Sequence, residues 1–336
     1  MKKIELMIWT LFSAVWRFSV AVADWRTHIR KIRGQSIVDA VFITNMRDNT
    51  DRHLYLGLWH PKNGHFNGPR YWINGVAGRT RALDITTEEL VTSKGRRKAK
   101  EQSISAVQWA KDNGAKVILF AASTKRLFGD DGKKLKELFP ELIFTIGDNG
   151  TMLLLEAEVL KALESANLDS KCSRIAVLGP YGFLGEMMVK TLKEKDYVVV
   201  GAGPNVFGLK QISKKYGIKT CHTFAEIGQV DVAVACTHSQ KIRLTAENIE
   251  LIRRPGKKLL ILDVAEPSNL KRQEYLKCRD VVVRQDAGNA YSLNLKYVLG
   301  PISYKMFRLT KGVTFGCFAE ALSLASKLKR KEVEVL

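Results

Sequence analysis

Residues 174–188, RIAVLGPYGFLGEMM, decide the fold of this chain. A short apolar run, Ile175–Leu178, enters a turn with glycines at 179, 182 and 185, and an amphipathic stretch follows. A strand that runs through a glycine turn into a helix is the layout that holds a dinucleotide pyrophosphate. Gly179 would permit the tight turn, Gly182 would let backbone approach the phosphates, and Gly185 would let helix and strand pack closely. Phe183 and Leu184 open the helix whose N-terminus would face the anion. A glycine trio also suits any loop needing positive φ, so the surrounding units matter.

Those units repeat downstream. Strand-like runs YVVVG, DVAVACT, KLLILDVA and VVVRQ alternate with helices read at 184–193, at 208–216 and from near Thr245. Strands separated by helices at this spacing give a parallel, doubly wound, Rossmann-like sheet. The α/β fold class follows, with a second, smaller α/β substrate domain before it. The end of the second strand, VVVGAGPN, lacks the carboxylate that NAD sites use to hold the ribose hydroxyl. Lys210, Lys214 and Lys215 lie just beyond. This pattern fits the 2′-phosphate of NADP(H), or those lysines are solvated helix charges.

Upstream, Val38–Thr44, Leu54–Trp59 and Tyr71–Val76 read as short strands around the turn signals of PKNGHFNGP. A basic helix from about residue 94 ends at Asn113-Gly114 and leads into a buried strand, Lys116–Ala121. Residues 151–166 form an apolar connecting helix. The expected division is 1–35 as an amphipathic N-terminal helix, 36–150 as the substrate domain, 151–312 as the Rossmann domain with its connecting helix, and 313–336 as a C-terminal helix.

Among 336 residues, 54 Lys and Arg against 34 Asp and Glu leave a net charge of +20, a surface that attracts polyanions. The basic stretches lack the interleaved aromatics of a single-strand platform, so nucleic acid is not the expected partner. Five cysteines without a CxxC pair suit a reducing cytoplasm. The N-terminal run Met7–Ala23 is apolar at helical spacing but interrupted by Arg17, with many cations after it. It packs on the fold or contacts a membrane surface, which leaves the location cytoplasmic or membrane-associated.

Ligands of such a sheet sit beyond the carboxyl ends of its strands. Thr237, His238 and Ser239 follow one strand, Asp263, Glu266, Pro267 and Asn269 another, and Asp286, Gly288 and Asn289 a third. His238 is placed to act as general acid or base beside the nicotinamide, or to make an ordinary loop hydrogen bond. Asp263 and Glu266 are catalytic or hold a turn. The absence of HExxH, Gly-x-Ser-x-Gly and P-loop patterns leaves zinc-protease, esterase and NTPase readings without support.

The segment GCFAEAL, 316–322, placed after a Rossmann unit, resembles cyanobacterial-type long-chain acyl-[acyl-carrier-protein] reductases, which make fatty aldehydes. The likeness also touches FTIGDNGT (144–151), EPSN (266–269) and the glycine turn, across roughly residues 100–325. The turn reads Gly-Pro-Tyr-Gly where that family has Gly-Ala-Thr-Gly, and Asp148 stands where it has Asn. The resemblance implies Cys317 as a nucleophile that takes the acyl group as a thioester, with NADPH as the reductant. It also implies that Thr145, Gly147 and Thr151 lie near the cofactor beside Thr237. The implied acyl donor is an acidic acyl carrier protein or acyl-CoA, for which KGRRKAK (94–100) is a docking patch. A cysteine at a helix N-terminus gains thiolate character, and Phe315 and Phe318 would exclude water. Glu320 is an acid/base candidate or an orienting carboxylate. Two rival readings need no Cys317: a shikimate-dehydrogenase-like oxidoreductase on a small alcohol or ketone, and a non-catalytic dinucleotide binder.

Overall fold

The computed structural model of the chain describes residues 2–125, 127–129, 132–306 and 309–334. Two compact units emerge, one built from residues 1–147 and 290–336, the other from 148–289. The expected boundaries at 150 and 312 shift accordingly. The unit outside the Rossmann sheet is the larger, and residues 290–336 return to it.

The nucleotide-type unit, 148–289, begins with α6 (Asp148–Ser165), numbered from the chain start. Its sheet contains β6 (Arg174–Leu178), β7 (Val198–Ala202), β8 (Lys219–Cys221), β9 (Val232–Ala235), β10 (Leu259–Asp263) and β11 (Val282–Asp286). All neighbours pair in parallel, in the order β11-β10-β9-β6-β7-β8. That is the doubly wound order, with its switch point between β6 and β9. The strands read as unbroken apolar runs because both faces are covered, and Ile175–Leu178 and Val232–Ala235 are buried throughout. The helices are α7 (Phe183–Glu194), α8 (Val206–Tyr216), α9 (Phe224–Ile227), α10 (Ala246–Ile252) and α11 (Arg272–Cys278). Asn205 caps α8 by accepting from the Gly208 amide, and Thr245 caps α10 through the Asn248 amide.

The other unit holds a mixed sheet in the order β13-β2-β3-β1-β4-β5. Its strands are β1 (Ala40–Met46), β2 (His65–Ile73), β3 (Val76–Thr86), β4 (Val117–Phe120), β5 (Ile143–Thr145) and β13 (Lys296–Tyr297). A second, two-stranded sheet pairs β12 (Asn289–Tyr291) with β14 (Val313–Phe315). Leu54–Trp59 is not a strand. Residues 49–56 form helix α3 (Asn49–Leu56), started by Asp48, whose side chain accepts from the Asp51 amide. Helix α4 (Ser93–Asp112) is capped by Thr92 and stops at Asn113, before Gly114 at φ +89. Helix α5 (Lys133–Leu138) precedes β5, and α12 (Gly300–Met306) and α13 (Gly316–Glu334) complete the unit.

The N-terminal region forms two helices, α1 (Lys2–Ala23) and α2 (Trp25–Ile32), broken at Asp24. Among the described residues, Ile4–Ala23 is the one helix long and apolar enough to cross a membrane. Its inner arc is tied to the sheet. Trp16 and Val20 are buried against Trp72 and Ala77, and Thr10 Oγ1 accepts from the Leu58 amide at 2.7 Å. Asp24 is buried between Arg70 and Arg79, each 3.2 Å away. Arg17, which interrupts the apolar run in sequence, turns inward. It donates to the Tyr55 carbonyl at 2.9 Å and stacks on Trp59 at 4.1 Å. The outer arc, through Ile4, Leu11, Val15, Phe18 and Val22, is therefore apolar without interruption and more than half exposed.

Candidate functional site

In the nucleotide-type unit, the glycine turn has the geometry its sequence implied. Gly179 adopts φ +80, and its amide donates to the Ala202 carbonyl at 2.8 Å. A methyl group there would stand 2.7 Å from the Thr237 Cβ, so Thr237 lies against the turn. Gly185 sits so close to the turn that an added Cβ would be 2.1 Å from the Gly179 carbonyl oxygen. Gly182 caps α7 differently. Its added Cβ would meet only that same oxygen, at an ordinary 3.7 Å, so no protein atom demands glycine there. Phe183 is exposed and Leu184 half-buried at the helix start.

Tyr181 carries a role that sequence reasoning missed. Its ring covers the β7–α8 turn, and added Cβ atoms at Gly203 and Gly208 would fall 2.7 and 2.8 Å from it. Its hydroxyl accepts from the Asn205 amide at 3.3 Å. That turn is where a Rossmann sheet places the adenosine ribose. The two glycines beneath an aromatic residue were the available signal. Lys215 departs from the expectation of a phosphate-binding cation. It pairs with Glu186 at 2.7 Å, and Tyr216 donates to the same oxygen.

Beyond β9, His238 is exposed on a loop whose backbone is held rigidly. Asn269 is fully buried, and its amide nitrogen donates to the carbonyls of Thr237 (2.7 Å) and Ile242 (3.1 Å). Its oxygen accepts from the Leu244 amide at 2.8 Å. Replacing Asn269 by Ala orphans three buried backbone groups, which should cost about 2–4 kcal/mol. Chemical denaturation checks the loss, and faster hydrogen exchange confined to residues 237–244 would locate it.

Asp263 takes the structural alternative rather than the catalytic one. It is buried and accepts from the amides of Ala265, Asn269 and Leu270. Burial raises its carboxyl above the ordinary range, against the pull of those amides and Arg284. Asp286 pairs with Arg284, and Glu266 is exposed. Gly288, at φ +77, donates to Glu158 at 2.6 Å. Burial raises the Glu158 carboxyl, a residue the sequence did not single out.

In the other unit, four residues named from scattered motifs meet. Thr145, ending β5, donates to Glu320 Oε1 at 2.5 Å, and the Gly147 amide donates to Thr145 Oγ1 at 2.9 Å. Gly147 has φ +71, and a Cβ added there would stand 2.2 Å from the Cys317 Cβ. Cys317 is a half-buried thiol in the first turn of α13, where the helix dipole favours negative charge. Glu320 thus ties β5 to α13. Thr151 is buried in α6 of the nucleotide-type unit, near Gly288. The two phenylalanines also differ from expectation. Phe318 is a core anchor, stacked on Phe42 at 4.4 Å, and Phe315 meets its edge at 5.4 Å. Phe318 fixes the helix that presents Cys317.

No protein-family model matches the chain, and no curated protein does. The likeness to acyl-[acyl-carrier-protein] reductases therefore rests on the short motifs quoted above. Solved structures similar to the chain include L-tryptophan dehydrogenase from Nostoc punctiforme, at 12% identity and TM-score 0.45, covering 86% of this chain and 80% of that one. Shikimate dehydrogenase from Aquifex aeolicus is similar at 14% identity and TM-score 0.36, covering 74% and 86%. Dipicolinate synthase A chain from Bacillus subtilis is similar at 13% identity and TM-score 0.36, covering 65% and 66%. These likenesses concern chain path in outline.

Proposed function

We propose that the chain is an NAD(P)(H)-dependent oxidoreductase, and more specifically an NADPH-dependent acyl-thioester reductase that forms an aldehyde. The carrying observation is the convergence of Thr145, Gly147, Cys317 and Glu320 on one helix N-terminus. Gly147 gives up a side chain to admit Cys317, and Glu320 locks the strand end against the same turn. Such close fitting is what a positioned nucleophile needs. The glycine turn supplies the cradle for the dinucleotide, with Gly182 open to phosphate approach and Tyr181 beside the ribose position. The missing carboxylate after β7, with Lys210 and Lys214 in α8, favours NADPH over NADH.

In this reading the Cys317 thiolate attacks the donor's thioester carbonyl. A new sulfur–carbon bond forms, the donor's breaks, and the departing thiolate takes a proton from solvent. The bound nicotinamide supplies the hydride that brings the acyl carbon to the aldehyde level. Release of the aldehyde returns the Cys317 thiolate. Thr145 and Glu320 orient the helix turn, and Phe318, anchored on Phe42, holds the helix that presents Cys317. An acidic acyl carrier protein or acyl-CoA would dock on the exposed Lys94, Arg96, Arg97 and Lys100 at the start of α4. Cations at that end oppose the helix dipole, so an anionic partner relieves them.

Incubation with an acyl-CoA in the absence of reductant, followed by intact mass measurement, tests the proposal. It should add one acyl group, mapping to the peptide that contains Cys317. An unmodified chain would reject the covalent mechanism. A second reading, direct reduction of a small ketone, is favoured by the exposed His238 on its Asn269-stapled loop. In that case turnover would persist without Cys317.

The outer arc of α1, followed by the exposed Lys31 and Arg33, suits an anionic bilayer surface. Leu11→Asp combined with Val15→Asp should release the protein from phosphatidylglycerol vesicles by about tenfold or more. Melting temperature should be unchanged, since both side chains are solvent-facing. Flotation measures the binding.

A further inference from the structure

A second concavity in the larger unit has no part in the thiol site. It occupies about 340 Å³ beneath α1, against β2 and β3, and is lined by Arg17, Arg70, Arg81, His65, Asn67 and Trp59 among others. Arg70 and Arg81 are at least nine-tenths buried, and Arg79 lies buried beside them on β3.

The charges around it do not balance. Asp24 is shared by Arg70 and Arg79. Among the described residues, neither Arg17 nor Arg81 has a carboxylate partner. Arg81 donates to Asn67 Oδ1 at 2.6 Å and to His65 Nδ1, and stacks on Trp109 at 4.0 Å. Because His65 Nδ1 accepts from a guanidinium, its proton sits on Nε2, which donates to Ser105 Oγ at 3.1 Å. Burial and Arg81 push this imidazole down to about 4, so it is neutral at physiological pH. Burial and mutual repulsion lower Arg81 to about 9 and Arg79 to about 10, and both stay charged. Four guanidiniums thus face one carboxylate. The Nε groups of Arg70 and Arg81 are buried without acceptors among the described residues. Unbalanced buried cations are costly, and a fold that keeps them calls for an anion.

We propose that this cavity binds a phosphate group. A carboxylate would offset one of the three excess charges, whereas a phosphate ester offsets up to two. Its tetrahedral oxygens also suit several guanidinium forks at once. The source is a soluble phosphate ester or a phospholipid headgroup, since α1 forms one wall and turns its apolar arc outward.

Thermal melting of the full chain in inorganic phosphate, against chloride at matched ionic strength, is the first test. Phosphate should raise the melting temperature by about 3 °C or more once it exceeds its Kd roughly tenfold. Arg81→Gln and, separately, Arg17→Gln should remove that rise, and Arg81→Lys should keep part of it. Flotation on phosphatidylcholine vesicles with and without phosphatidic acid separates the sources. Retention on phosphatidic acid that phosphate competes away, and that Arg81→Gln abolishes, supports the headgroup. A phosphate effect lost in both variants, with vesicle retention indifferent to Arg81, supports a soluble ester. Stabilisation that is absent, or that survives unchanged in both variants, overturns the site.

Discussion

Cys317→Ser should lower aldehyde formation from an acyl thioester by about 10³-fold or more, with NADPH affinity unchanged. The serine oxygen fits the same space, so the fold should not register the change. What is lost is the nucleophile, because a hydroxyl without an adjacent base does not ionise near neutral pH and a thiol partly does. The expected pattern is a fall in kcat with no acyl adduct on the protein, which separates loss of chemistry from loss of binding. The other cysteines provide the comparison. Cys221 and Cys278 are buried with raised thiols, and desolvation together with Asp263 pushes Cys236 up to about 12. Cys172 is exposed, and Cys172→Ser should leave the rate as it was. Unimpaired turnover by Cys317→Ser would leave direct reduction of a carbonyl, with His238 as acid, as the surviving reading.

A comparable effect is expected at the glycine turn, where two substitutions of one methyl group should diverge. Gly185→Ala drives its Cβ to 2.1 Å from the Gly179 oxygen and 3.0 Å from the Pro180 Cα. These are backbone atoms and cannot swing aside, so the start of α7 has to move away from β6. Stability should fall by about 2–4 kcal/mol, and NADPH affinity by about 100-fold as the turn loses its shape. Gly182→Ala meets only one ordinary contact, and its stability should change by less than about 1 kcal/mol. Its affinity for NADPH should nonetheless fall by about tenfold or more, because the methyl group stands where the pyrophosphate approaches. Melting curves and fluorescence titration with NADPH distinguish the two effects. Normal binding by Gly182→Ala would show that the turn does not carry the dinucleotide.

Much of the parallel sheet was legible, because buried parallel strands are apolar on both faces and leave an unbroken signal. The cap at Thr245 and the stop at Asn113-Gly114 were legible for equally local reasons. Leu54, Leu56 and Leu58 alternate like a strand, but Asp48 supplies a cap that starts a helix, and the cap decides. The two-residue β13 is too short to announce itself, and its partner β2 lies more than 200 residues earlier, so the return of the chain near 290 was hidden. The site divides in the same way. Cys317, Gly147 and Thr145 came from motifs, yet the bond joining Thr145 to Glu320 spans 175 residues and exists only after folding. Arg70, Arg79 and Arg81 drew no attention in the sequence, because only the folded sheet brings them together as a buried group beneath α1.

Because the first and last portions of the chain share one sheet and one core, order of synthesis has a cost. A ribosome finishes Phe42, Tyr71 and Leu119 long before it makes Phe318 and Leu322, the residues that seal them. The nascent front half waits with an open apolar flank while the nucleotide-type insert, whose entry helix and exit loop are joined through Glu158 and Gly288, completes its own fold. Cys317, next to Phe318, thus becomes fixed in place only once the late-made helix α13 has docked on that waiting flank.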